Sequence, residues 1–335
     1  MSEISSFIEG MPKAELHVHL EGTLEPELKF RLAGRNGLDL PFRSAAEMRA
    51  AYAFDDLPSF LAVYYEGMGV LQTEEDFYDL AMAYYRKAHS QNVVYTETFF
   101  DPQAHTARGV RFQTVISGFR HAQQDAAAEF GLHAQLIMCF LRDMTADSAM
   151  ETLTQSLPYR DWIVGVGLDS DEKGNPPVKF KEVFGRARSE GYRLTMHCDV
   201  DQADSVAHIW QCLNDIGVER IDHGVNCLDD DALVDRLKSS GVGLTVCPIS
   251  NSYVSDGLKA REIKAMLDLS LRVTVNSDDP AYFPGYIGEN LAAVTEAVNL
   301  AKPDLVQIER NAFTIAWITD EERAVYLRDL DVYAA

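Results

Sequence analysis

The clearest pattern near the start of the chain is an alternation. In Lys13–Ala14–Glu15–Leu16–His17–Val18–His19–Leu20–Glu21–Gly22, the apolar Leu16, Val18 and Leu20 interleave with Glu15, His17 and His19. A period of two predicts a strand, on which residues i and i+2 share a face. Both imidazoles therefore point the same way, a spacing that suits two ligands on one metal ion. Gly22 then lets the chain turn sharply away.

The period changes downstream. Pro26 sits near the start of a helical stretch, Glu25–Ala33, which Gly34 and Gly37 end. Ser44–Ala53, Leu57–Val70 and Thr73–Gln91 are further helical stretches. The last sets Phe77, Leu80, Ala81, Tyr84 and Ala88 at helical spacing, a stripe that reads as core. From Val93 onward strand and helix alternate. Strands are predicted at Val93–Phe100, His133–Leu141, Ile163–Leu168, Tyr192–Cys198, Arg220–His223, Gly243–Cys247 and Arg272–Asn276, each followed by a helical segment.

With Lys13–Leu20 these make eight strand–helix units, which implies parallel strands with right-handed crossovers. Eight units over 335 residues favour an α/β fold of the closed (β/α)8 type, a distorted TIM-like barrel forming one domain over residues 1–335. No Gly-rich nucleotide fingerprint follows the first strand, which weighs against an open doubly wound sheet. The helices between Ser44 and Gln91 read as an insertion after the first strand, beside the substrate entrance.

Parallel barrels carry their chemistry at the carboxyl ends of the strands. Here those ends hold His17 and His19, His197, His223, and the pair Asp278–Asp279. Packing alone does not account for so many polar groups at one mouth, because each would need its own buried partner. Imidazoles with a carboxylate form a nitrogen and oxygen site that suits zinc, with iron or manganese as alternatives. The histidines at 89, 105, 121, 133 and 208 read as bystanders, His105 least firmly.

Composition narrows the partners. A formal charge of −22 would repel nucleic acid and phosphorylated substrates, so a small neutral molecule is the expected partner. No apolar run approaches the length of a membrane span, and Met1–Gly10 lacks the features of a secretion signal. Five scattered cysteines without a Cys-x-x-Cys pair fit reduced thiols. A cytoplasmic protein is expected, and a homo-oligomer stays open.

Together the motifs resemble the adenosine/adenine deaminase family of the amidohydrolase superfamily. The resemblance rests on Glu15-Leu-His-Val-His-Leu-Glu-Gly22, Gly167-Leu-Asp-Ser170, Thr195-Met-His197, Arg220-Ile-Asp-His-Gly224, Cys247-Pro-Ile-Ser-Asn251 and Asn276-Ser-Asp-Asp-Pro280. It runs nearly end to end. It implies one zinc ion per chain on His17, His19, His197 and Asp278, with no lysine at the fourth strand end to bridge a second metal. His223 would stand beside the attacking water, and Asp279 would meet purine N7. Water acidified to a pKa of about 7 by the metal would attack the carbon bearing the amino group.

Two departures from the family pattern carry expectations of their own. A Glu normally lies three residues after the metal-binding His of the fifth strand, where it protonates ring N1. This chain has His197-Cys-Asp-Val-Asp201, with Val200 at that position. Asp199 or Asp201 is expected to replace the acid, Asp201 slightly preferred. Where adenosine deaminases carry an Asp that meets ribose, this chain has the longer Glu21, and its fourth strand runs into a shortened Ser170–Asp171–Glu172. Both departures resemble the branch that acts on free adenine. Glu21 and Ser170 are thus expected at the substrate, with N6-substituted adenines as further candidates. Other readings stay open: adenosine deamination, another zinc hydrolase on this barrel, and a purine-binding protein without turnover.

Overall fold

Side chains that alternate in the sequence alternate across a barrel wall. The computed structural model describes residues 3–54 and 56–335. Eight strands follow one another around the sheet in chain order: β1 (Lys13–His19), β2 (Val93–Phe100), β3 (His133–Leu141), β4 (Gly165–Asp169), β5 (Arg193–Cys198), β6 (Arg220–His223), β7 (Gly243–Val246) and β8 (Arg272–Val275). Every neighbouring pair from β1 to β8 is parallel. The register brings the strand ends to one level, with His19 opposite Phe99, Leu141 opposite Asp169 and Cys198 opposite His223. This is the (β/α)8 architecture.

Closure between β8 and β1 is slight. A single bridge joins Val18 to Asp278. In it the Asp278 N–H donates to the His17 carbonyl and the His19 N–H donates to the Asp278 carbonyl, both at 3.0 Å. The barrel thus shuts through the backbone of residues predicted to bind metal.

The opposite end is plugged by a buried ion pair. Arg220 donates to Glu97, whose other oxygen accepts from the Tyr95 hydroxyl and the Trp317 N–H. The guanidinium lies 4.3 Å over the Trp317 ring. Trp317 follows the helix Lys302–Ile315, and Asp320–Ala334 follows it; neither helix is among the sequence-predicted elements. The Thr73–Gln91 stripe is core, as its spacing predicts: Phe77, Leu80, Ala81, Tyr84 and Ala88 are all buried.

The insertion after β1 lies earlier than expected. It consists of α1 (Pro26–Asn36), α2 (Ala45–Ala50) and α3 (Leu57–Gly67), whereas α4 (Glu74–Ser90) packs with the outer helix Phe112–Phe130. Asp56 and Ser59 form a reciprocal cap at the start of α3. From that helix Leu57, Phe60, Leu61, Tyr64 and Tyr65 face the cavity at the barrel mouth. Their spacing of i, i+3, i+4, i+7 and i+8 is one face of a helix. The insertion therefore supplies an apolar wall over a polar floor.

Candidate active site

Three imidazoles at the mouth are turned the same way because their far nitrogens are tied down. Thr245 Oγ1 donates to Asp222, so it must accept from His17 Nδ1, 2.9 Å away. The His197 Nδ1–H donates to the Leu168 carbonyl at 3.1 Å, and His19 Nδ1 lies 3.5 Å from an Asp169 oxygen. Each Nε2 is left bare toward the centre. The His19 and His197 Nε2 atoms stand 3.2 Å apart, and Asp278 Oδ1 lies 3.2 Å from His17 Nε2 and 3.4 Å from His19 Nε2.

His17 Nε2 is buried with no hydrogen-bond partner. Lone pairs converging on one another and on a carboxylate repel unless a cation sits among them. Burial pushes His19 down to about 3 and His197 well below its ordinary value, so both stay neutral, as metal ligands must. Burial alone would raise Asp278, but the attraction of His17 wins and holds its carboxyl well below the usual range. Three imidazole nitrogens and one carboxylate fit zinc. The orienting bonds to Thr245, Leu168 and Asp169 are the outer shell such a centre requires.

Backbone strain gathers at the same mouth. His223 (φ 59°), Asp278 (φ 66°) and Ser170 (φ 74°) are non-glycine residues in the left-handed region. Such residues persist where surrounding contacts over-determine them. His223 Nε2 lies 3.7 Å from Asp278 Oδ2 and 3.5 Å from Asp199 Oδ1, and its Nδ1 is buried without a partner. Burial pushes this imidazole down to about 4, so it is a neutral proton acceptor at neutral pH. Burial, followed by the charge of Asp278, raises the Asp279 carboxyl well above its usual range. Asp169, Ser170, Asp199, Val200, Asn251 and Asp279 line a cavity of about 50 Å³. Since one water needs about 10–15 Å³ on the same measure, the space holds several waters or a small planar ring.

The profile of adenosine deaminase matches residues 12–333. The chain belongs to the adenosine deaminase family. An uncharacterised deaminase of Schizosaccharomyces pombe is 54% identical over 100% of this chain and 99% of its own. An adenine deaminase of Sphingopyxis alaskensis is 49% identical over 99% and 97%. Among solved structures, an adenine deaminase from Arthrobacter aurescens superposes with a TM-score of 0.93 at 42% identity, covering 97% of this chain and 99% of that one. A zinc-bound amidohydrolase from Burkholderia ambifaria gives 0.89 at 25% identity, covering 100% and 94%.

Within this family the site corrects two expectations about individual residues. Asp201 does not enter the mouth. It turns outward with φ 59°, its side chain 40% exposed and paired with Lys259 at 2.7 Å. Asp199 faces the cavity instead, because β5 keeps its pleat through Cys198 and position i+2 from His197 retains the inward face. Burial and then the Glu172 charge raise the Asp199 carboxyl well above its usual range.

Glu21 does not project into the cavity either. It is fully buried, its Oε1 accepting from His105 Nε2 at 2.8 Å and from the Asp101 N–H at 3.1 Å. Arg108 donates to His105 Nδ1, which fixes the proton on Nε2. Glu21 therefore buttresses the wall behind Asp101, and His105 is no bystander. Ser170 lines the cavity.

The sequence reading assigned no role to Asp101, which shares a hydrogen bond with Asp169 in the floor. Its signal was its place just past the end of β2, the rule that picked out the other strand-end groups.

Gly22 tests this geometry. A methyl there would fall 2.8 Å from the Asp279 Cα and closer still to its carboxylate. Gly22→Ala is expected to displace Asp279 and lower deaminase kcat/KM by about 10²-fold, the scale of a 1 Å misplacement. Bound metal, read by elemental analysis, should be unchanged; full activity in the variant would contradict the placement.

Proposed function

We propose that the protein hydrolyses adenine to hypoxanthine and ammonia, using one zinc ion per chain held by His17, His19, His197 and Asp278. The observation that carries this is the convergence of three bare Nε2 atoms and Asp278 beneath the cavity at the barrel mouth. The adenine deaminases among its relatives and neighbours support the same substrate. The zinc-bound neighbour supports the ion. A role in purine salvage in the cytoplasm is part of the proposal.

When bound, the ion supplies Lewis acidity that lets water ionise near neutral pH. The remaining work falls to the protein's own groups. His223 Nε2, neutral and at the mouth, orients the attacking water and takes its proton. Asp199, whose carboxyl burial and the Glu172 charge raise, gives a proton to ring N1 as negative charge builds there. Asp279, likewise raised, donates to N7 and fixes the ring's orientation. The apolar face of α3 covers the base and excludes bulk water, and N6-substituted adenines are proposed as further substrates.

Zinc-loaded protein supplied with adenine, adenosine and N6-methyladenine tests this reading through purine absorbance and released amine. Adenine should exceed adenosine in kcat/KM by more than the roughly 10–200-fold that one methylene provides, in line with the adenine deaminases among its relatives and neighbours. Equal efficiencies would contradict it. Asp199→Asn should keep zinc and adenine binding while cutting turnover by about 10²–10⁴-fold. Asp201→Asn should stay near the wild-type rate, and the reverse pattern would move the acid to Asp201.

A further inference from the structure

The peptide groups on either side of Cys198 are gripped by opposite charges. On one side the Arg142 guanidinium, fully buried at the end of β3, donates from Nη1 to the His197 carbonyl at 2.8 Å. On the other the Asp199 N–H donates to Glu172 Oε2 at 2.6 Å. The two gripping groups face each other at 3.5 Å, and Glu172 is fully buried too. His208 Nδ1 donates to the second oxygen of Glu172. Arg142 Nε donates to the Asn175 carbonyl at 3.0 Å, and Ser205 Oγ to the Asp199 carbonyl at 3.2 Å. Of the gripping groups, Arg142, Glu172 and His208 stay outside the cavity, which the gripped residues His197 and Asp199 line.

We infer that Glu172, braced by Arg142 and His208, is a positioning residue that fixes where the Asp199 carboxyl stands relative to His197. The chain needs such a device here. Just past Asp199 it turns outward through the left-handed Asp201. Asp is one methylene shorter than Glu, so its carboxyl has less reach and depends more on the backbone beneath it. A buried carboxylate holding that N–H removes the freedom a strand end otherwise has, because a charge-assisted bond to a backbone amide is among the stronger ones. The inference rests on Asp199 being the acid, and its test separates the two claims.

Glu172→Met fills the space without an acceptor, and Glu172→Gln keeps a carbonyl oxygen for the Asp199 N–H. With adenine as substrate, Glu172→Met should lose about 10²-fold in kcat, with KM and bound zinc within twofold. Glu172→Gln should recover most of that rate. Hydrogen exchange at the Asp199 amide reads the grip without any substrate: slow in the wild type and in Glu172→Gln, fast in Glu172→Met. Adding Glu172→Met to Asp199→Asn should cost little more, since Glu172 acts only through Asp199.

Equal losses in both backgrounds, or unchanged exchange with unchanged kcat, would overturn the inference. If Glu172→Met does not fold, the wild-type exchange rate and Glu172→Ala decide it. An Asp199→Asn enzyme with full activity would refute the acid assignment while the exchange data still report the grip.

Discussion

One peptide bridge holds the catalytic end of this barrel together. Among the described residues the one backbone bridge between the end of β8 and β1 is at Asp278, which exchanges hydrogen bonds with His17 and His19. Beside it the Leu16 N–H donates to the Asn276 side chain and the Ser277 N–H to the Glu15 side chain. The candidate ligand set therefore lies at the seam. Asp278 reaches it in a left-handed conformation that a non-glycine residue adopts only under constraint. The constraint is the pairing itself, which fixes Asp278 on the strand beside the two imidazoles and leaves its carboxylate to face their Nε2 atoms. A candidate metal centre built beside the closure of its own scaffold is preorganised, because the same backbone pairing fixes where its groups stand.

Around that seam the mouth is crowded with carboxyls. Burial raises Asp101, Asp199 and Asp279 well above their usual range and brings Asp169 to about 7. Groups that cannot all ionise become hydrogen-bond donors. Adenine offers ring nitrogens that are acceptors, so protonated carboxyls suit it where carboxylates would repel its lone pairs. An acidic chain with a formal charge of −22 and a neutral heterocyclic substrate are thereby compatible. Asp278, whose carboxyl His17 holds well below the usual range, faces the candidate cation site.

The parts of this arrangement set by periodicity were legible in the sequence. Alternation gave the eight strands, and strand-end position picked out His17, His19, His197, His223, Asp278 and Asp279, because pleat and barrel topology convert sequence spacing into a shared face. What depended on a partner far along the chain was not legible. Glu21 looked like a side chain reaching for substrate until His105, 84 residues away, turned it into the wall. The preference for Asp201 over Asp199 failed because it depended on where β5 ends. His208 looked idle because its partner Glu172 lies in another loop. The stripe on α3 was visible as a helix, but not what it covers.

The central claim is hydrolysis at the amino-bearing carbon of a free purine base, and isotope transfer tests it most directly. Zinc-loaded protein would turn over adenine in water enriched in oxygen-18, with the purine product read by mass spectrometry against released ammonia. The account predicts hypoxanthine carrying one heavy oxygen for each ammonia formed. Adenine recovered intact, or a product lacking the label, would contradict it.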